Sequence, residues 1–190
     1  MNSNRKLILA SNSPRRKELL GQLGLTFEVK VKEVAEDYPE HLQRAQVAEY
    51  LANHKAEAYR ADLQDEILIT ADTIVCLDNL VLNKPADEAE ACRMLRQLSG
   101  KVHEVITGVC LLSQEKKDLF HDITQVHFRS LSEAEISYYV QNYQPYDKAG
   151  AYGAQEWMGM VAIDRIEGSY FNVMGLPVHL LYARLEKFTG

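Results

Sequence analysis

Residues 7–16 read Leu7-Ile8-Leu9-Ala10-Ser11-Asn12-Ser13-Pro14-Arg15-Arg16. A short apolar run stopped by small polar residues has the form of a buried strand. Serine is a favoured N-cap and proline a favoured first helical residue, so Ser13-Pro14 starts a helix that Gly21 and Gly24 bring to an end near Gln22. One strand passing directly into one helix sets the expectation of an α/β chain. The same stretch carries an electrostatic conflict. Arg15, Arg16 and Lys17 fall in the first turn, beside unpaired N–H groups and the positive end of the helix dipole, where each exposed cation costs about 0.3–1 kcal/mol. A bound anion resolves the conflict, because N–H groups and guanidinium groups then converge on it. A solvated basic turn is the alternative.

Working outward, Phe27, Val29 and Val31 alternate with polar residues as in a half-buried strand, and residues 44–59 carry apolar side chains at helical spacing. Residues 67–71 and 74–77 are strongly β-prone and are interrupted only by Asp72 and Thr73. Asn83-Lys84-Pro85 closes a further short strand, and a helix over 86–98 ends at Gly100. Residues 102–112 and 120–128 read as paired strands joined by the charged turn Gln114-Glu115-Lys116-Lys117. Ser132 and Glu135 form a capping box for a helix to about residue 140. A loop rich in Tyr and Gly covers 142–159, a strand 161–166 follows, and Pro177 begins a last helix to 187. Strands and helices alternate without a regular βαβ period, which predicts an α/β fold with a mixed sheet flanked by helices. Nothing separates two independent domains, so residues 1–190 are read as one.

Composition narrows the classes. Hydrophobic residues at 46% and charged residues at 25% fit a globular chain, so disorder and fibrous classes drop out. The formal charge of −6 argues against a general binder of nucleic acid or anionic membrane, and makes a local cluster of cations more informative. Cys76, Cys92 and Cys110 are scattered and lie in apolar surroundings, which suits free thiols in a reducing cytosol. The N-terminus lacks the apolar core of a signal peptide and no run reaches membrane-spanning length, so a cytoplasmic protein is expected.

Asp72 is the second anomaly. A carboxylate within an Ile/Leu/Val stretch is costly unless it meets a cation, a metal or a cleft; a strand-end aspartate satisfying local backbone is the plain alternative. Lys84 has the reach to aim an amine into the same place, though a surface lysine is its default. Lys55, placed on the polar side of its helix, has the same default. Glu36 lies in a loop after a strand, where a carboxylate either faces solvent or serves Mg²⁺, which takes one or two carboxylates plus substrate oxygens. Residues 147–155 are dense in small residues that let backbone approach a ligand, and Gln155 offers an amide able to read a base edge. There is no GxxxxGK[ST] loop, GxGxxG, GxSxG or HExxH, and the six histidines show no metal-ligand spacing.

Taken in order, residues 7–16, Ala71-Asp72-Thr73-Ile74-Val75, Asn83-Lys84-Pro85, the segments 98–109 and 147–155, and residues 168–177 resemble the Maf family of nucleoside triphosphate pyrophosphatases. The resemblance implies a fold related to inosine triphosphate pyrophosphatases, with an elongated twisted sheet and two lobes around a central cleft, often as a homodimer. It also implies hydrolysis of a nucleoside triphosphate to the monophosphate and pyrophosphate with a divalent cation, Mg²⁺ or Mn²⁺. The family's acid/base position matches Asp72, its metal-site glutamate Glu36, and its phosphate-binding cations Arg15, Arg16, Lys55 and Lys84, with Ser13 capping the anion-binding turn. Arg15, Thr73 and Gln155 match three specificity positions of the dTTP/UTP branch, where the branch acting on 7-methylguanosine triphosphate typically shows Trp, Gln and Glu. Asn83 departs from the Gly or Glu often found before Lys-Pro. The family is also linked with septum formation, so a nucleotide-binding regulator of cell division stands as the rival from another class.

Overall fold

A computed structural model describes residues 5–189; Met1–Asn4, on which the reading of the N-terminus partly rests, lie outside the described residues. In chain order the elements are β1 (Leu7–Leu9), α1 (Pro14–Gln22), β2 (Phe27–Val29), α2 (Ala45–Glu57), β3 (Ile67–Leu77), β4 (Leu80–Leu82) and α3 (Glu88–Leu98). Then follow β5 (Val102–Leu112), β6 (Lys117–Phe128), α4 (Glu133–Tyr143), α5 (Trp157–Ala162), β7 (Ile163–Glu167), α6 (Tyr170–Met174) and α7 (Val178–Thr189). The strands form a mixed seven-stranded sheet of order β2-β1-β3-β5-β6-β7, with β4 also paired to β3. β1 runs parallel to both β2 and β3, whereas β4 on β3 and β7 on β6 are antiparallel. The expected α/β fold with a mixed sheet is therefore what the chain adopts. Among the described residues no helix is long and apolar enough to cross a membrane.

The chain divides into two compact units. The first comprises residues up to Asp72, Thr107–Asp122 and the segment from Gly175 on. Its core joins Ile8, Leu68, Cys110 and Leu112 from the strands to Ala52 and Ala56 of α2. Small residues on α2 allow a close approach to the sheet: a Cβ on Gly108 of β5 would stand 2.3 Å from the Ala48 carbonyl oxygen. The Thr70 hydroxyl closes the same interface by donating to the Ala52 carbonyl at 2.7 Å.

The second unit comprises Thr73–Ile106 and Ile123–Met174. Val75, Leu95, Leu98, Val126, Tyr139 and Met158 are central to its core. Asp87 caps α3 by accepting from the Glu90 N–H at 2.8 Å. The Ser132/Glu135 capping box opens α4 as the sequence predicts.

Several local expectations change. β3 is one unbroken strand, so Asp72 and Thr73 do not interrupt it and Asp72 is not at a strand end. The predicted half-buried strand through Val31 shrinks to three residues, with Val29 and Val31 exposed. Its ladder stops where β1 stops, at the Leu9–Val29 pairing, because the chain there turns into the start of α1. The segment read as a loop over 142–159 contains the start of α5, and residues 170–174 form α6. Both helices are too short to show an apolar period. Gly159 sits in α5 because a Cβ there would meet the Ala154 carbonyl oxygen at 1.9 Å.

Candidate active site

The start of α1 is built as its residues dictate. Ser13 is extended and its hydroxyl accepts from the Arg16 N–H at 3.4 Å, with Pro14 at the first helical position. Arg16 then folds back onto the protein. Its Nε donates to the Gly175 carbonyl at 2.8 Å and its Nη1 to the Ala71 carbonyl at 2.7 Å, with Ser11 Oγ at 3.5 Å. Burial holds this guanidinium below its ordinary pKa, and the like charge of Arg15 acts in the same direction, against the Asp72 and Glu36 carboxylates. Arg16 therefore braces the residue that precedes Asp72 as well as bringing charge to the site. Ser11, which the sequence did not single out, is nearly buried and also accepts from the Ser13 N–H at 3.2 Å.

Lys55 is where the structure departs most from the sequence reading. Its ammonium donates to Glu36 Oε1 at 2.8 Å and to Asp72 Oδ1, and its side chain is only 16% exposed. The polar-side placement was wrong because Lys55 continues the buried stripe Ala48, Leu51, Ala52 at helical spacing. Strand geometry completes the match. Thr70 and Asp72 lie on one face of β3, so while Thr70 meets Ala52, Asp72 meets the residue three further along α2. Asp72 itself is 8% exposed in mid-strand, and the cation it needs is Lys55.

Glu36 and Asp72 thus direct oxygens at a common positive point, the lysine ammonium. Among the described residues no group of three or more His, Cys, Asp or Glu side chains is placed to hold a metal ion. The donor set fits Mg²⁺ of the kind that takes one or two carboxylates and completes its shell with substrate oxygens and water, rather than an all-protein cage.

The remaining candidates belong to the second unit. Thr73 follows Asp72 in β3, Lys84 is exposed just after β4, and Gln155 is exposed in the loop before α5. That loop is tied to the lysine segment by the Gly150 N–H, which donates to the Asn83 carbonyl at 3.2 Å.

Beneath Gln155 lies a polar network that the sequence reading missed. The Tyr139 hydroxyl donates to Glu156 Oε2 at 2.5 Å and accepts from the Gly153 N–H at 3.1 Å. Lys148 Nζ donates to Glu156 Oε1 at 3.0 Å and to Asp147 Oδ1 at 2.6 Å. Burial and the Glu156 carboxylate push the Tyr139 phenol well above its usual range, keeping it a donor. Nearby, buried His103 pairs through Nε2 with the Tyr152 hydroxyl at 2.7 Å, and its Nδ1 has no partner among the described residues. Burial, with a smaller contribution from His127, lowers the His103 pKa from 6.5 to about 3, so the ring is neutral. The signal was the density of Tyr and Gly in 142–159, which reads as loop unless the partners are known.

Comparison with solved structures places the architecture first. The chain superposes on the Staphylococcus aureus Ham1 protein with a TM-score of 0.55, covering 96% of this chain and 99% of that one. At 15% identity this likeness speaks for the fold alone. The family is settled by sequence: the model of the Maf-like proteins matches residues 6–188, and the chain belongs to the Maf family. A Porphyromonas gingivalis relative is 54% identical over 187 residues, covering 96% of this chain and 94% of that one. One from Cytophaga hutchinsonii is 53% identical over 184 residues, at 97% and 84% coverage. Both bear the name dTTP/UTP pyrophosphatase.

Proposed function

We propose that this protein hydrolyses dTTP and UTP to the nucleoside monophosphate and pyrophosphate, with residues 1–190 acting as a single catalytic domain. The observation that carries the proposal is the Lys55 ammonium held between exposed Glu36 and buried Asp72, a charge cluster electrostatically coupled to Arg16 at the start of α1. Support for the substrate comes from the name shared by relatives that are more than half identical over nearly the whole chain.

In this proposal water attacks the α-phosphorus, the bond from that phosphorus to the bridging oxygen breaks, and pyrophosphate leaves. Asp72 orients the water and takes its proton. Arg15, Arg16, Lys55 and Lys84 bind the triphosphate, aided by the N–H groups that Ser13 caps. Glu36 and Asp72 would hold Mg²⁺ or Mn²⁺, which when bound supplies neutralisation of phosphate charge. Arg15, Thr73 and Gln155 favour uracil or thymine. The three free, buried thiols Cys76, Cys92 and Cys110 suit a reducing cytoplasm.

The experiment is pyrophosphate release from dTTP and UTP with Mg²⁺, for the wild type and for Asp72→Asn. Wild-type turnover and a loss of about a hundredfold or more in the variant are expected. Full activity in Asp72→Asn would remove the assignment of Asp72.

A further inference from the structure

We propose that the buried Lys148–Glu156–Tyr139 network positions the loop that carries Gln155 and thereby sets the discrimination between nucleotide bases. The inference rests on the proposed role of Gln155 as a base-selecting side chain.

Glu156 joins the two ends of the loop. One carboxylate oxygen takes the Lys148 ammonium, and the other takes the Tyr139 hydroxyl, which in turn holds the Gly153 N–H. Tyr139 is fully buried on α4 and Lys148 is 8% exposed. A buried ion pair contributes little net stability, because desolvation offsets its attraction. What it does fix is geometry, and Gln155 is the residue directly before Glu156.

Side chains pack closely against the backbone around the network. A Cβ on Gly153 would meet Glu156 Cδ at 2.8 Å, and one on Gly150, whose φ is +69°, would meet Val75 Cγ2 at 2.9 Å. Tyr152, between them, is held by His103. Between Lys148 and Glu156 Gln155 alone is exposed, so it is a solvent-facing amide mounted on a closely packed frame.

That arrangement answers a chemical need. On its pairing edge uracil or thymine offers a carbonyl and an N–H, whereas cytosine offers an amino group and an unprotonated nitrogen. A glutamine amide matches either edge by turning over. Discrimination therefore has to come from where the backbone holds the amide, and a site held to within a fraction of an ångström needs a supporting layer beneath it.

The test compares Glu156→Gln and Tyr139→Phe with Gln155→Ala, measuring kcat and KM for UTP and CTP alongside the thermal midpoint. In Glu156→Gln the UTP-over-CTP preference in kcat/KM is expected to fall about tenfold through a higher KM for UTP, with kcat within about twofold of wild type. Tyr139→Phe, which removes one oxygen and keeps the ring, shifts the preference the same way by a smaller factor. If Gln155→Ala abolishes the preference while both network variants keep it, the network is scaffold only and the inference is overturned. A uniform loss for both nucleotides, tracking the thermal midpoint, overturns it as well. If Gln155→Ala keeps the wild-type preference, the base-selecting role of Gln155 itself is what fails.

Discussion

Lys55 on α2 and Asp72 in the middle of β3 are paired because a buried helical stripe and one face of a strand run alongside each other, Thr70 meeting Ala52 and Asp72 meeting Lys55. Glu36 shares the same ammonium. Replacing Lys55 by Met removes the ammonium that the two carboxylates share, Asp72 being almost buried. The expected outcome is a loss of roughly 2–4 kcal/mol in stability and a drop of about a hundredfold in kcat/KM. Urea unfolding and steady-state kinetics on the variant check this; wild-type stability and kcat/KM count against a shared charge cluster.

The position of α2 depends on Gly108. A Cβ there would lie 2.3 Å from the Ala48 carbonyl oxygen and 2.7 Å from the Glu49 nitrogen, both backbone atoms that no side-chain rotation can relieve. Gly108→Ala is expected to cost about 1–3 kcal/mol and to lower kcat, since the displaced helix carries Lys55. The measurement is the urea midpoint at unchanged slope, together with kcat at saturating UTP. Wild-type values for both would show that α2 shifts without consequence.

How far the sequence discloses this site differs residue by residue. Ser13-Pro14 announces a helix start through local chemistry, and the structure builds it with the predicted cap. Asp72 announces itself as a charge in an apolar run. Lys55 does not, because its side of α2 is fixed by which stripe packs on the sheet, and the alanines of that stripe are ambiguous in sequence. The role of Arg16 in holding the Ala71 and Gly175 carbonyls is likewise illegible, being a contact across more than fifty residues of chain. The same holds for Tyr139 and Glu156, whose pairing depends on how the loop before α5 returns to α4. Local rules locate helix caps and misplaced charges; long-range pairings decide what those charges do.

Arg16 should not tolerate conversion to lysine. Its Nε and Nη1 reach two carbonyls from different segments, Gly175 and Ala71, and an ammonium cannot span both from one stem. Arg16→Lys is expected to lower kcat/KM by about tenfold or more while leaving the overall charge unchanged, because the strand immediately before Asp72 loses its brace. A crystal structure of the variant with steady-state kinetics checks it. Unaltered kinetics would confine Arg16 to a local structural role.

Through its burial His103 makes the stability of the fold depend on pH. Its neutral form is favoured by burial, with a folded pKa of about 3 against an ordinary 6.5. Above 6.5 the ring is neutral in both states; as pH falls from 6.5 towards 3 the unfolded chain takes up a proton that the folded chain refuses, so stability declines through that window. Between about pH 7.5 and pH 5 the loss is about 2 kcal/mol. The carboxylates of Glu57 and Glu135, held down to about 2 by hydrogen bonds from Arg60 and Arg129, add their own acid-side loss only below their ordinary 4.5. The interval from 6.5 down to 4.5 therefore isolates the histidine from these two. His103→Asn, which keeps a polar side chain beside the Tyr152 hydroxyl but does not titrate, is expected to flatten the stability profile there. Equilibrium unfolding at four or so pH values across the interval makes the comparison, and parallel slopes for variant and wild type would mean that His103 is not the group responsible.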